Sequence, residues 1–149
     1  MFLISHRGNL TGPNAKLENT PLQIQKTLDL GYNCEIDVWY INDQYYLGHD
    51  EPKYKVSEYN LTHPNLWCHA KNLEALQQML NNDKIHCFWH ETDQYTITSK
   101  NYIWTFPGKY ASDNCIIVDN SKNFPNYNCA GVCTDYVELY KARYFRFRW

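Results

Sequence analysis

The chain has 149 residues, a length typical of one domain and sufficient to bury an apolar core. Its formal net charge is −2, so the overall charge provides no attraction toward nucleic acid or an anionic membrane. The aromatic share is 16%, with 13 Tyr and 5 Trp, so aromatic rings must fill much of the core. We therefore expect one domain spanning residues 1–149, with no nucleic-acid partner.

The chain shows no targeting or membrane-spanning pattern. Residues 1–4 contain no positively charged residue and are followed directly by polar residues, which argues against a signal peptide. No apolar run approaches the roughly 20 residues that cross a bilayer. The six cysteines include no Cys-x-x-Cys pair, and most lie beside or inside apolar runs. This placement favours buried thiols over a zinc site and predicts a reducing, cytoplasmic location.

Short apolar runs separated by polar segments predict a strand-rich chain. Eight strand candidates follow in order: 2–5, 34–41, 44–49, 65–71, 85–90, 102–106, 115–119 and 131–135. Most are short and are enriched in β-branched or aromatic residues, as strands usually are.

Two of the connections between these strands have helical periodicity. Thr20 is a good N-cap and is followed by proline, so a helix is expected over 20–30. Asn72 is placed to cap a second helix over 72–82, which carries leucines on one face. The segment 135–145 is a candidate third helix.

Eight strands with few helices predict a particular α/β architecture. We expect a minimal TIM-type (β/α)8 barrel in which several helices are shortened or replaced by loops. Such barrels usually take about 250 residues, so this one would be much reduced. A smaller open α/β sheet is the alternative.

An acid pair lies in the second predicted strand. Glu35 and Asp37 are two residues apart, so their side chains point to the same face. If that face is internal, the two carboxylates are costly to bury unless a cation neutralises them. Oxygen ligands suit Mg²⁺ or Ca²⁺. The alternative is a pair of exposed acids that bind nothing.

Two histidines also lie at predicted strand ends. His6 ends the first strand, His49 ends the third, and Arg7 directly follows His6. Imidazole exchanges protons near neutral pH, and guanidinium can hold phosphate through two parallel hydrogen bonds. Each histidine alone has a structural explanation, but the combination indicates phosphate chemistry.

These residues lie in four short elements that resemble the glycerophosphodiester phosphodiesterase family. The elements are Ser5-His6-Arg7-Gly8, Glu18-Asn19-Thr20, Glu35-Ile36-Asp37-Val38 and Gly48-His49-Asp50. Their order and spacing match across residues 5–50, and residues 131–135 resemble the family's last strand. The wider superfamily of barrel phosphodiesterases includes phosphatidylinositol-specific phospholipase C and the sphingomyelinase D enzymes of spider venom.

The resemblance implies a role for each matching residue. Glu35 and Asp37 would be metal ligands, His6 and His49 the acid–base pair, and Arg7 a phosphate contact. It also implies a small phosphodiester substrate and a part in lipid metabolism.

The family usually has an acid-x-Lys pattern on its fourth strand, where this chain has His69-Ala70-Lys71. Lys71 fits as a second phosphate contact. His69 stands where the third metal-binding acid is expected. As a ligand, its imidazole would suit Mn²⁺, Fe²⁺ or Zn²⁺ better than Ca²⁺, although Mg²⁺ or Ca²⁺ is the ion expected from the two carboxylates. A structural role for His69 is the alternative.

Three further residues and the tail are weaker candidates. Asn19 would support the site near the first strand. His90 and Asp119 follow the fifth and seventh strands and could face the same mouth. The basic and aromatic residues 141–149 could contact an anionic partner or membrane, or pack on the fold.

The sequence thus predicts a metal-dependent phosphodiesterase with two-histidine acid/base catalysis. One alternative is a catalytically degenerate fold that binds phosphate-bearing ligands. Another is a lyase that releases a cyclic phosphate. The substrate alcohol and the oligomeric state do not follow from the sequence.

Overall fold

The structure is a computed structural model that describes residues 1–123 and 125–146, with the side chains of residues 144–146 left out. In chain order the described elements are β1 (Phe2–His6), α1 (Pro21–Asp29), β2 (Asn33–Ile41), β3 (Gln44–Leu47), β4 (Tyr54–Val56), α2 (Glu58–Leu61), β5 (Leu66–Ala70), α3 (Leu73–Leu80), β6 (Cys87–Phe88), β7 (Tyr95–Ile97), β8 (Ile103–Thr105), β9 (Cys115–Val118), β10 (Gly131–Thr134) and α4 (Val137–Arg146). All eight predicted strands are present, and the structure adds β4 and β7.

All ten described strands belong to one mixed sheet. Parallel pairing runs without a break through β6, β5, β2, β1, β10, β9 and β8. Antiparallel pairing adds β3 beside β2, β4 beside β3, and β7 beside β8. The long β2 pairs with β1 near its start and with β3 near its end, on the same edge, while β5 occupies the other edge.

The expectation of a TIM-type (β/α)8 barrel is therefore wrong. The sheet curls into a half-barrel, and its strands do not alternate regularly with helices. Helices account for only 20% of the residues. Among the described residues no ladder joins β6 to β8, so the curl stays open there. The physical reason is chain length, because residues 106–114 between β8 and β9 are too few for a helical crossover, which needs about 10–12 residues.

The two predicted helix starts are confirmed. The Thr20 hydroxyl accepts a hydrogen bond from Gln23 N at 3.3 Å, and Asn72 Oδ1 accepts one from Ala75 N at 3.2 Å. Asn72 also donates to the carbonyl of Tyr40 and accepts from its amide, which ties α3 to β2. The third candidate helix corresponds to α4.

The core has one main cluster on each face of the sheet and a small third cluster of Leu10, Tyr32 and Val137. On the outer face, aliphatic residues and cysteines of β2, β5 and β6 pack against α1 and α3. On the inner face of the curl, alternate residues of six parallel strands meet: Ile4, Trp67, Phe88, Trp104, Ile116 and Cys133. Three of these six residues are aromatic, whereas the outer cluster is mostly aliphatic.

Among the described residues, no helix is both long enough and apolar enough to cross a membrane.

Candidate active site

The polar site lies directly above the inner aromatic layer, at the carboxyl ends of β1, β2 and β5. His6 follows Ile4 by two residues, and His69 follows Trp67 by two, so each polar side chain shares a face with a core residue. Sheet register places His6 opposite Glu35 and Asp37 opposite His69. Strand alternation and register thus bring these predicted residues together.

Glu35, Asp37 and His69 form a compact buried cluster. One potential ligand atom from each lies within 4.8 Å of the others. His69 Nδ1 is 3.3 Å from Asp37 Oδ1 and 3.7 Å from Glu35 Oε1. Glu35 is 2% exposed and Asp37 0% exposed, so the acids are not the surface pair that the alternative reading required.

The ring of His69 is held in one orientation by its neighbours. Its Nε2 lies 3.1 Å from the carbonyl oxygen of His90, which only accepts, so Nε2 carries a proton and Nδ1 faces the acids. The ring is nearly parallel to those of His90 and Phe88. Burial lowers the pKa of His69, but the nearby Asp37 and Glu35 carboxylates outweigh it and raise the pKa to about 9.

Asp37 is the electrostatic centre of the site. Asn19 Nδ2 donates to its Oδ2 at 2.9 Å, and Arg7 Nε lies 3.3 Å from the same oxygen. Lys71 Nζ lies 3.6 Å from Oδ1. Burial alone would raise the pKa of Asp37, but His69, Arg7 and Lys71 hold it well below its usual range. Despite these cations, Oδ1 accepts no hydrogen bond from any described residue.

His6 is oriented by an acid at the end of the last strand. Its Nδ1 lies 2.8 Å from Asp135 Oδ1, and Asn9 Nδ2 donates to that oxygen at 2.8 Å. His6 Nε2 is therefore directed away from Asp135 and lies 3.9 Å from Glu35 Oε2. Burial lowers the pKa of His6, but the Asp135 hydrogen bond and the Glu35 charge give a net rise.

Arg7 and Asn19 both have left-handed backbone conformations, with φ of 55° and 59°. Non-glycine residues rarely adopt this region, and such strain concentrates at functional sites. The Asn19 amide donates to the Arg7 carbonyl at 3.0 Å, so the two strained residues support each other. The Arg7 guanidinium also contacts Glu18 Oε2 at 3.3 Å. These contacts place Arg7 beside Asp37 before any ligand arrives.

The site opens into a cavity of about 220 Å³. Its lining consists of His6, Arg7, Glu35, His49, His69, His90, Asp93, Trp104, Phe106, Pro107 and Val118. The His49 side chain is 38% exposed, more than those of His6 and His69, and its Nδ1 lies 2.7 Å from Asp50 Oδ1. Lys71 and Asn19 reach the site through Asp37 instead of lining the cavity.

Asp119 and the described tail residues Lys141 and Arg143 do not line this cavity. The Asp119 carboxylate accepts hydrogen bonds from Ser121 N at 2.8 Å and Tyr127 Oη at 2.9 Å. Both of its oxygens therefore have structural partners. In the tail, Lys141 Nζ lies 4.9 Å from the centre of the Tyr32 ring, and Arg143 donates to the carbonyl of Asn123. Residues 147–149 lie outside the described residues.

Sequence reasoning missed three residues that shape the site. Asp135 directly follows β10 as Arg7 follows β1, and these strands pair in register, so its position at a strand end was the available signal. Asn9 bridges Asp135 and Glu18 through its amide nitrogen. Glu18 lies in the Glu18-Asn19-Thr20 element of the resemblance, but no role was assigned to it. No local pattern marked Asn9, because it acts from the irregular loop after β1.

The chain matches no protein-family model, no curated protein and no solved structure. The resemblance to glycerophosphodiester phosphodiesterases therefore depends on the four short elements of residues 5–50 and on the strand at 131–135. Membership of that family stays a prediction.

Proposed function

We propose that this protein is a divalent-metal-dependent phosphodiesterase acting on a small phosphodiester through two-histidine acid/base catalysis. The observation that carries the proposal is the convergence of buried Glu35, Asp37 and His69 with Arg7 and an oriented His6 beside one cavity. Metal-assisted phosphoryl chemistry needs groups of these kinds. The two acids and the imidazole of His69 can bind a metal, the guanidinium can bind phosphate, and His6 can act as a base.

The residues present fit a divalent cation. Asp37 Oδ1 is a buried oxygen without a hydrogen bond, and it faces the ligand atoms of Glu35 and His69. These three side chains would hold the ion, which would neutralise charge developing on the phosphate oxygens. One imidazole and two carboxylates suit Mn²⁺, Zn²⁺ or Mg²⁺ better than Ca²⁺, which prefers an all-oxygen shell.

His6 is the better placed general base. Asp135 accepts the hydrogen bond from its Nδ1, so Nε2 is the nitrogen free to remove a proton from an attacking hydroxyl or water. His49 lines the same cavity and would protonate the leaving alkoxide, with Asp50 fixing its ring. Arg7 lines the cavity, and Lys71 adds positive charge next to Asp37.

A second candidate function is phosphate binding without turnover. The imidazole of His69 carries a raised pKa, so when charged it neutralises part of the acid cluster without any cation. A cluster balanced in this way could hold a phosphate group through Arg7 and Lys71 alone. A lyase that forms a cyclic phosphate is a further variant, because the attacking hydroxyl can belong to the substrate.

The compartment is part of the same proposal. All six cysteines are free, and five of them are buried. Unpaired thiols in this number favour a reducing compartment, so we place the protein in the cytoplasm.

The test is cleavage of bis(p-nitrophenyl) phosphate during Mn²⁺ titration, with a chelator control. His6→Gln and His49→Gln should each lower turnover at least about 100-fold, the lower range expected of general acid–base catalysis. His63→Gln, at an exposed histidine away from the cavity, is the matched control. Metal-independent turnover, or full activity in both variants, would contradict the proposal. Phosphorus NMR of the product separates hydrolysis from cyclic-phosphate release.

A further inference from the structure

The cavity has two chemically different walls. One wall carries ionisable side chains, most of them on or just after β1, β2 and β5. The opposite wall consists of Trp104, Phe106, Pro107 and Val118. Trp104 is on β8, Val118 is on β9, and these strands pair in parallel register. Apart from Asp93, the ionisable lining residues belong to β1, β2, β5 and the segments that directly follow strands β1, β3 and β6.

The apolar wall has a rigid part and an open part. Trp104 is 4% exposed, and its ring packs on Phe88 with centroids 4.4 Å apart, so it is fixed by the inner core. Phe106 is two residues further along the same strand direction, so both rings point to the same side. Phe106 is 47% exposed although it lines the cavity, which leaves a large apolar surface at the mouth.

The cavity size limits what this wall can accept. A volume of about 220 Å³ is below the roughly 300–1,000 Å³ of clefts that take drug-sized ligands. A phosphate beside Arg7, on the ionisable wall, therefore leaves room for one compact group against Trp104 and Phe106. A polyol there would lose hydrogen bonds to water without replacement from this wall, whereas a flat apolar group would bury both its own surface and that of the rings.

We propose that the site selects phosphate esters carrying a small, flat apolar group, such as an aryl group, over esters of polyols like glycerol. This inference rests on the proposed function for the position of the phosphate. The apolar group contacts Trp104 and Phe106, and the phosphate faces Arg7 and the metal-binding cluster. Phe106 is the specificity-determining residue because its ring is the exposed part of the wall.

The test measures binding of phosphate monoesters, which avoids the different reactivity of aryl and alkyl leaving groups. Phenyl phosphate, glycerol 3-phosphate, phosphocholine and inorganic phosphate are titrated by calorimetry into the full chain with Mn²⁺. Phenyl phosphate should bind about tenfold more tightly than glycerol 3-phosphate, as expected from burying one ring face. Phe106→Ser should reduce that ratio to about threefold or less, with folding checked by thermal melting.

Tyr110→Ser is the matched control, because Tyr110 is an aromatic residue 84% exposed and outside the cavity lining. It should keep the wild-type ratio. Equal binding of phenyl and glycerol phosphates, a ratio unchanged by Phe106→Ser, or no binding of any ester would overturn the inference. Tighter binding of phosphocholine would also overturn it, in favour of cation recognition by the same rings.

Cleavage assays run in parallel distinguish the two proposals. If phenyl phosphate binds preferentially but no diester is cleaved at any metal concentration, the proposed function fails and the apolar wall stands. If diesters are cleaved but the binding preference is absent, only the inference about the ester group fails.

Discussion

Asp37→Asn tests the electrostatic centre of the site. The substitution keeps the shape and leaves an oxygen to accept from Asn19, but it removes the charge facing Arg7, Lys71 and His69. Removing one partner from a buried ion pair costs about 3–5 kcal/mol. Arg7 keeps its contact with Glu18, and the Lys71 side chain is 18% exposed and can turn toward water. We therefore expect the lower value, about 3 kcal/mol.

The corresponding change in melting temperature follows from protein size. A chain of this length loses roughly 2–4 °C per kcal/mol, so metal-free Asp37→Asn should melt about 6–12 °C below wild type. A ligand at a hundredfold excess over its Kd stabilises by about 2.7 kcal/mol, so wild type should gain about 5–11 °C from Mn²⁺. The variant should gain almost nothing.

Thermal melting with and without Mn²⁺, followed by circular dichroism, checks both values. Asp43→Asn is the matched control, because Asp43 lies in an exposed turn whose left-handed backbone asparagine also tolerates. A variant that melts with wild type and keeps the full metal-induced shift would refute the charge arrangement described for Asp37.

Three other predictions concern the metal, the base and the buried histidine below the site. His69→Asp should shift metal preference from Mn²⁺ and Zn²⁺ toward Mg²⁺ and Ca²⁺, seen as a reversed order of affinities in calorimetry. Asp135→Asn should lower kcat about 10- to 100-fold while Mn²⁺ affinity stays within about twofold, because it disturbs the orientation of His6 and no proposed ligand. Burial, with the charge of Lys100, lowers the pKa of His86 to about 4. The unfolded chain then binds the proton more readily, so stability is full above about pH 6.5 and falls as the pH drops toward 4. His86→Gln should flatten that part of the stability profile in urea unfolding.

Three results would contradict these predictions for His69, Asp135 and His86. An unchanged metal order in His69→Asp would mean that the imidazole is not a ligand. Loss of Mn²⁺ affinity in Asp135→Asn would place that acid in the metal site. An acid-induced loss of stability identical in wild type and His86→Gln would assign the proton uptake to other groups.

Local signals in the sequence were sufficient for the elements and for part of the site. Thr20 and Asn72 mark helix starts because their side chains cap free amides, a property of a few neighbouring residues. The i, i+2 spacing of Glu35 and Asp37 requires a shared face in any strand. The meeting of these acids with His69 was suggested only by the resemblance to the phosphodiesterase family, which has its third metal-binding acid at that position.

The global closure of the sheet did not follow from such signals. Whether β6 meets β8 depends on the path of the connecting segments, and eight apolar runs are compatible with either a closed or an open curl. Asp135 was missed for a related reason, since its partner His6 lies 129 positions away and is reached only through pairing of β1 with β10.

The pairing of β2 has an evolutionary consequence. Among the described strands only β2 is bonded to three others. Glu35 pairs with His6 on one side and Trp67 on the other, whereas Asp37 pairs with His69 and donates its amide to Asn19 Oδ1. Backbone in that position exchanges its amide hydrogens only through large-scale opening, so the acid cluster belongs to the most persistent part of the molecule. The segment 106–114, by contrast, is a loop and can change in length or sequence at little cost to the sheet. If the apolar wall selects the ester group as proposed, new preferences would evolve by changing this loop, without altering the acids, histidines and cations on the other strands.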